Sequence, residues 1–163
     1  MFYGREDQIG GLLTLFRKRT SSLVTCGGRR RIGKSTLIKI FAERADARFI
    51  KIEGLKPKKG LSNVDELSNF AIQLAAQTGC EETPPSNWLN AFIRLDKEID
   101  DSKRMVVLLD EVSWMAHYDK TFSGTLKIAW DNYFKRHPKL VLVVCGSVST
   151  WIRDNIIEDG SWF

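Results

Sequence analysis

No apolar run in the sequence approaches the roughly 18 residues that a membrane-spanning helix needs. The first residues, Met1 to Gln8, are polar and aromatic rather than a basic stretch followed by an apolar one. That pattern argues against a membrane partner and against a secretory signal, and makes a cytoplasmic location the default expectation. Cysteine is scarce: Cys26, Cys80 and Cys145 are odd in number and lack both CxxC and Cys/His ligand spacing. A disulfide scaffold and a zinc site are therefore not expected, and the three read as buried, reduced thiols. Histidine is scarcer still. His117 and His137 have no carboxylate or cysteine at ligand spacing, so structural or surface roles are expected for both. Internal repeats and low-complexity segments are absent. Acidic residues are few in the first 60 positions, which hold 15 Lys/Arg against 5 Asp/Glu, while the remainder holds 10 against 15. An anion is thus expected to bind the first part of the chain.

What is present suits one soluble α/β domain of 163 residues, 43% hydrophobic and 28% charged. Apolar spacing predicts an amphipathic helix over residues 6–19 and a strand from Ser22 to Cys26. A buried helix is predicted from Gly33 to about Ala45, then a strand from Arg48 to Glu53. The Lys/Pro/Gly segment Gly54 to Gly60 reads as a solvated loop. A helix carrying Val64, Leu67, Phe70, Ala71, Leu74 and Ala75 follows and stops near Gly79. Pro84–Pro85 marks a linker, and Ser86 or Asn87 is placed to cap the next helix, which presents Trp88, Leu89, Phe92, Leu95 and Ile99. Met105 to Leu109 is an unbroken apolar run, as in a strand buried on both faces. A helix from Phe122 to Phe134 and a strand from Leu140 to Cys145 complete the pattern. Cys26 and Cys145 each end a strand and are candidate sheet neighbours. Strands alternating with helices imply a mainly parallel sheet.

The segment Gly28 to Ser35 fits G-x-x-x-x-G-K-[ST] without a mismatch, between a predicted strand and a predicted helix. Each residue type has a physical reason. The backbone of Gly28, Arg29, Arg30, Arg31, Ile32 and Gly33 aims successive N–H groups at phosphate oxygens, and the following helix N-terminus adds partial positive charge. Lys34 is placed to reach the β- and γ-phosphates, Ser35 to supply a Mg²⁺ ligand and Thr36 to touch the α-phosphate. The side chains of Arg29, Arg30 and Arg31 are expected to point outward, toward a neighbouring subunit, an acidic partner or nucleic acid.

Asp110 and Glu111 end the apolar run from Met105, where Asp110 is placed to hold Mg²⁺ and Glu111 to orient or deprotonate an attacking water. The strand ending at Cys145 leads into Gly146-Ser147-Val148-Ser149. Ser147 is a candidate sensor of the γ-phosphate if that strand lies beside the phosphate-loop strand; the alternative is an ordinary turn capped by Ser147 or Ser149.

Five pieces of the chain together resemble the prokaryotic AAA+-related ATPases called the archaeal-type ATPase family, near the STAND and MNS groups of P-loop NTPases. They are FYGRE at Phe2 to Glu6, GRRRIGKST at Gly28 to Thr36, VVLLDEVSWM at Val106 to Met115, AWD at Ala129 to Asp131 and VVCGSVSTWI at Val143 to Ile152. The resemblance implies a three-layer ASCE-type P-loop fold with strand order 5-1-4-3-2. It also implies that Tyr3, Gly4 and Arg5 lie near the adenine and that Ser147 is at the sensor position. Residues 1–163 then read as a single ATPase domain lacking the last strand and the helical lid, a piece of a longer, potentially homo-oligomeric protein.

The expected function is ATP binding and Mg²⁺-dependent hydrolysis that switches or remodels a protein partner or nucleic acid. The alternative is a non-hydrolysing regulatory or nucleic-acid-associated module. A small-molecule kinase would need an acceptor pocket and a lid, for which no residues stand out. If the arginine side chains face outward, Arg30→Ala leaves ATP affinity within about threefold of the native chain in a nucleotide titration, whereas Lys34→Ala abolishes binding.

Overall fold

The computed structural model describes residues 2–26 and 33–146, with side chains from residue 8 onward. The elements run α1 (Phe2–Leu13), β1 (Ser22–Cys26), α2 (Lys34–Arg44), β2 (Arg48–Glu53), α3 (Asn63–Thr78), α4 (Trp88–Asp96), β3 (Met105–Asp110), α5 (Val112–Ala116), α6 (Phe122–Asn132) and β4 (Leu140–Cys145). The four strands form one parallel sheet in the order β1-β4-β3-β2. This is the 1-4-3-2 part of the expected order; the expected fifth strand is not among the described residues. No described helix is long and apolar enough to cross a membrane.

The apolar run of β3 divides strictly by parity. Met105, Val107 and Leu109 face α3, α4, α5 and α6, while Val106 and Leu108 face α2, and all five are fully buried. An unbroken hydrophobic strand is stable only where both faces are covered, and the two helical layers supply that cover. On one side Phe16 stacks on Phe41 beneath α1 and α2, with ring centroids 5.6 Å apart. On the other, Phe70, Trp88, Phe92, Phe122 and Phe134 meet mostly edge to face, and the Trp88 indole N–H donates to Asn63 Oδ1 at 2.9 Å.

Several boundaries differ from the expectation, for local reasons. The first helix starts earlier and gives way at Thr14 to a 3₁₀ turn that ends on Arg19 at φ 61°. The cap of α4 is as expected: of the two candidates it is Asn87, its Oδ1 accepting from Asn90 N at 2.8 Å. That helix stops at Asp96, leaving Ile99 packed from the following turn. The segment after Glu111 forms the short α5, which was not expected. Val64 belongs to α3 but points outward, 63% exposed.

The outer edge of β2 is closed by side chains rather than by another strand. Gln73 on α3 accepts from Glu53 N at 2.9 Å and donates to Glu53 O at 2.8 Å. Gln77, one helical turn on, does the same for Lys51 N and O at 2.9 and 2.6 Å. Four residues of helix rise about 6 Å and two residues of strand about 6.6 Å, so glutamines spaced i, i+4 match strand positions i, i+2. Asn69 adds a bond to Glu53 O at 2.8 Å. Unpaired strand edges invite pairing with other chains, and this amide clasp removes that invitation over the end of β2.

At the opposite end of the sheet, His137 is held between two carboxylates. Its Nε2 lies 2.5 Å from Asp96 Oδ1 and its Nδ1 2.5 Å from Asp101 Oδ1, and Arg136 pairs with Asp96 Oδ2 at 3.0 Å. The structural role expected for His137 is this tie between α4 and the approach to β4.

Gln73→Ala removes the partner of Glu53 N and one of the two donors to Glu53 O, and is expected to cost about 1–3 kcal/mol in chemical denaturation. The double change with Gln77→Ala should add a concentration-dependent rise in light scattering as the β2 edge is uncovered.

Candidate functional site

The C-terminal ends of the strands all open on one side of the sheet, and the chemistry-bearing residues gather there. Gly33, in the left-handed region at φ 69°, starts α2. Gly33 has no side chain to cap the helix, so the first-turn amides of Lys34, Ser35 and Thr36 form a terminus of the kind suited to an anion. Lys34 is only 8% exposed, and its ammonium donates to the Gly146 carbonyl at 2.7 Å. It therefore reaches across the end of β4 toward β3.

Glu53, Asp110 and Glu111 complete a small cavity of about 130 Å³ with Lys34 and Ser35. Glu53 and Asp110 are register partners at the ends of β2 and β3. The Asp110 Oδ1 accepts from Glu111 N at 2.9 Å, and its Oδ2 lies 3.9 Å from Lys51 Nζ, which also approaches Glu53 at 3.7 Å. Glu111 is 4% exposed and sits in the left-handed region at φ 53°, ψ 48°. A non-glycine residue held there costs on the order of 1 kcal/mol, a cost associated with functional turns. The turn fits because Gly54 is bare: a Cβ at that position would meet the Glu111 carbonyl oxygen at 2.5 Å and Trp114 Cβ at 3.0 Å. Gly54 N also donates to Asp110 O at 2.9 Å, continuing the β2–β3 ladder into the turn.

Four of the expected site residues, Lys34, Ser35, Asp110 and Glu111, thus line one cavity. Thr36 is in the same helical turn but exposed, and is not among the lining residues. Gly28, Arg29, Arg30, Arg31, Ile32 and Ser147 lie outside the described residues, as do the side chains of Tyr3 and Arg5. Tyr3, Gly4 and Arg5 fall in the first turns of α1, which packs on α2. β4 lies beside β1, the arrangement on which the sensor reading of Ser147 depended. Sequence reasoning did not single out Lys51, Glu53 or Gly54 for the site. The one available signal was the acid ending β2, which resembles any strand that ends in a charged turn.

The donor set suits Mg²⁺: a hydroxyl and a carboxylate, both hard oxygen ligands, next to a helix terminus suited to phosphate. Mg²⁺ usually takes one or two protein oxygens and completes its shell with phosphates and water. Ser35 and Asp110 are the residues that would hold it.

Just beyond the cavity, Glu66 on α3 anchors the loop after β2, its Oε1 accepting from Leu55 N at 2.9 Å. The residue is 1% exposed, and its Oε2 is buried without a hydrogen-bond partner among the described residues. Burial pushes its carboxyl up to about 7, the neighbouring Asp65 charge adding to the rise and the Leu55 N–H opposing it.

No protein-family model matches the sequence, and no curated protein sequence matches it either. Similar folds are found among solved structures. The ORC2 protein of Aeropyrum pernix, solved with ADPNP and ADP, is 17% identical with a TM-score of 0.64, covering 98% of this chain and 46% of its own. A Walker-type ATPase of Pyrococcus abyssi is 17% identical with a TM-score of 0.65, covering 94% of this chain and 47% of its own. Cdc6p from Pyrobaculum aerophilum is 17% identical with a TM-score of 0.61, covering 97% and 43%. The chain shares its fold with these three proteins and spans less than half the length of each.

A raised carboxyl fixes the sign of a pH effect. Below about pH 4.5 Glu66 is neutral folded and unfolded; between 4.5 and 7 the unfolded chain has lost the proton and the folded chain has kept it, so stability falls, and above 7 the fall is complete. Glu66→Gln keeps the acceptor for Leu55 N and removes the titration. Its stability relative to the native chain, measured by urea denaturation, is expected to be higher at about pH 8 than at about pH 4.

Proposed function

We propose that the domain binds ATP with Mg²⁺ and hydrolyses it, and that turnover switches or remodels a partner, protein or nucleic acid. The observation that carries the reading is the convergence of Lys34, Ser35, Asp110 and Glu111 on one cavity at the C-terminal edge of the sheet. Each residue then has a task at a stated atom. The first-turn amides of α2 and the Lys34 ammonium take the phosphate oxygens, Lys34 exchanging the Gly146 carbonyl for the more negative ligand. Ser35 Oγ and the Asp110 carboxylate would hold Mg²⁺, which supplies charge neutralisation on the phosphates. Glu111, held inward by its left-handed backbone, orients the attacking water and takes its proton. Turnover is read out through the chain that follows: Glu111 leads directly into α5, where Met115 is buried and Trp114 borders the loop after β2. A cytoplasmic location and assembly within a longer protein belong to the same reading.

A non-hydrolysing regulatory or nucleic-acid-associated module is the second reading. It draws on the basic first 60 residues, which include Lys56, Lys58 and Lys59 on the loop after β2.

Two substitutions test the assignment. Lys34→Ala should abolish ATP binding in a titration with a fluorescent ATP analogue. Glu111→Gln should bind ATP as the native chain does and turn it over at least about 100-fold more slowly in a phosphate-release assay. Equal turnover in the two forms would remove Glu111 from the mechanism, and a native chain that binds ATP without releasing phosphate would favour the second reading.

A further inference from the structure

Cys26 and Cys145 are the last residues of β1 and β4 and are partners in the parallel register. Both belong to the face of the sheet covered by α2, which makes their side chains neighbours on that face. Cys26 is half-buried and Cys145 fully buried. Each immediately precedes a candidate nucleotide-site residue or segment in the sequence. Cys26 precedes the phosphate loop; Cys145 precedes Gly146, whose carbonyl holds Lys34 and whose N–H donates to Cys26 O at 3.1 Å. Adjacent strands lie about 4.8 Å apart, inside the roughly 4.4–6.8 Å range of Cα separations that a disulfide spans. The shared face directs both Cβ atoms the same way.

We propose that Cys26 and Cys145 form a peroxide-oxidisable dithiol whose disulfide locks the root of the phosphate loop to the end of β4 and lowers nucleotide affinity. Only the last consequence rests on the nucleotide-binding reading. The order of events follows from exposure. The sulfur of Cys26, the less buried of the two, attacks one oxygen of hydrogen peroxide; the O–O bond breaks, the leaving hydroxide takes the Cys26 thiol proton and departs as water, and Cys26 carries a sulfenic acid. The Cys145 sulfur, on the register partner of Cys26, attacks the Cys26 sulfur. The S–O bond breaks as the S–S bond forms, and the displaced hydroxide takes the Cys145 proton as a second water. Two electrons pass from the sulfur pair to the peroxide, and no other reductant or oxidant is needed. The electrostatics run the same way: the neighbouring Cys145 thiol and the Lys34 ammonium, against burial and the Asp110 carboxylate, hold Cys26 down to about 7. The neighbouring Cys26 and deeper burial push the Cys145 thiol up. Cys80, the third cysteine, lies elsewhere, its Sγ 3.7 Å from Glu81 O.

The test uses the chain with Cys80→Ser, which leaves only these two thiols, exposed to hydrogen peroxide in slight excess. Free-thiol titration, peptide mapping by mass spectrometry and affinity for a fluorescent ATP analogue are read in the reduced, oxidised and re-reduced states. Both thiols should disappear together, with one linked peptide joining Cys26 and Cys145 that is absent from the Cys26→Ser form. Affinity should fall at least about tenfold on oxidation and return with dithiothreitol. Mapping the native chain, where the Cys80 peptide is read separately, covers the case in which Cys80→Ser does not fold. Over-oxidation of Cys26 with Cys145 still free would overturn the dithiol. A linked peptide with unchanged ATP affinity would overturn the lock. Reduced protein that forms the linked peptide yet binds no ATP would sink the nucleotide reading and support the dithiol alone.

Discussion

The insertion of β4 between β1 and β3 is the constraint on which the site depends. The strand that leads into the phosphate loop and the strand that delivers Asp110 and Glu111 are not neighbours, so the cavity between them must be spanned across the end of a third. Lys34 does the spanning. Its long side chain leaves the first turn of α2, passes over the end of β4 and finds the Gly146 carbonyl on the way to the acids. A shorter cation at this position would not reach. A β4 extended by further pairing at Gly146 would offer no free carbonyl.

The same constraint makes the site a late event in folding. β1 pairs with β4 alone, Ser22 meeting Val141, so the sheet's first and last described strands must find each other before the phosphate loop has a fixed base. Contacts this far apart in sequence are slow to form because the loop between them is closed at an entropic cost. One face of β2 and β3 is covered by α3 and α4, which lie between these two strands in the sequence. The acidic side of the site therefore has a base before the phosphate side does.

Most of the scaffold was legible because its signals are local. The parity of the β3 run, the spacing of Leu67, Phe70, Ala71 and Leu74, and the strand–loop–helix context of Lys34 all act within a few residues. What was not legible depends on partners far along the chain. Gln73 and Gln77 look like solvent-facing helix residues until β2 is laid beside them. His137 shows no ligand spacing because its partners Asp101 and Asp96 lie 36 and 41 residues away along the chain. Glu53 enters the cavity only through its register with Asp110. Gly54 looks like a loop glycine, yet the backbone of Glu111 requires it to be bare. α5 escaped notice because it is five residues long and begins on a left-handed glutamate, a start that no propensity rule anticipates.

The glutamine clasp on β2 has a mechanical meaning. Each amide both gives and takes a hydrogen bond from one residue of the strand, so the fit between α3 and β2 has a period of two strand residues, about 6.6 Å. A smaller slide would break every bond of the clasp at once and regain none, and α3 is thus indexed to the sheet like a pawl on a rack. Displacement of the strand end that carries Glu53 must take the helix with it as a rigid piece. The open face of α3, where Val64 and Ile72 stand exposed, would move in step with the floor of the cavity.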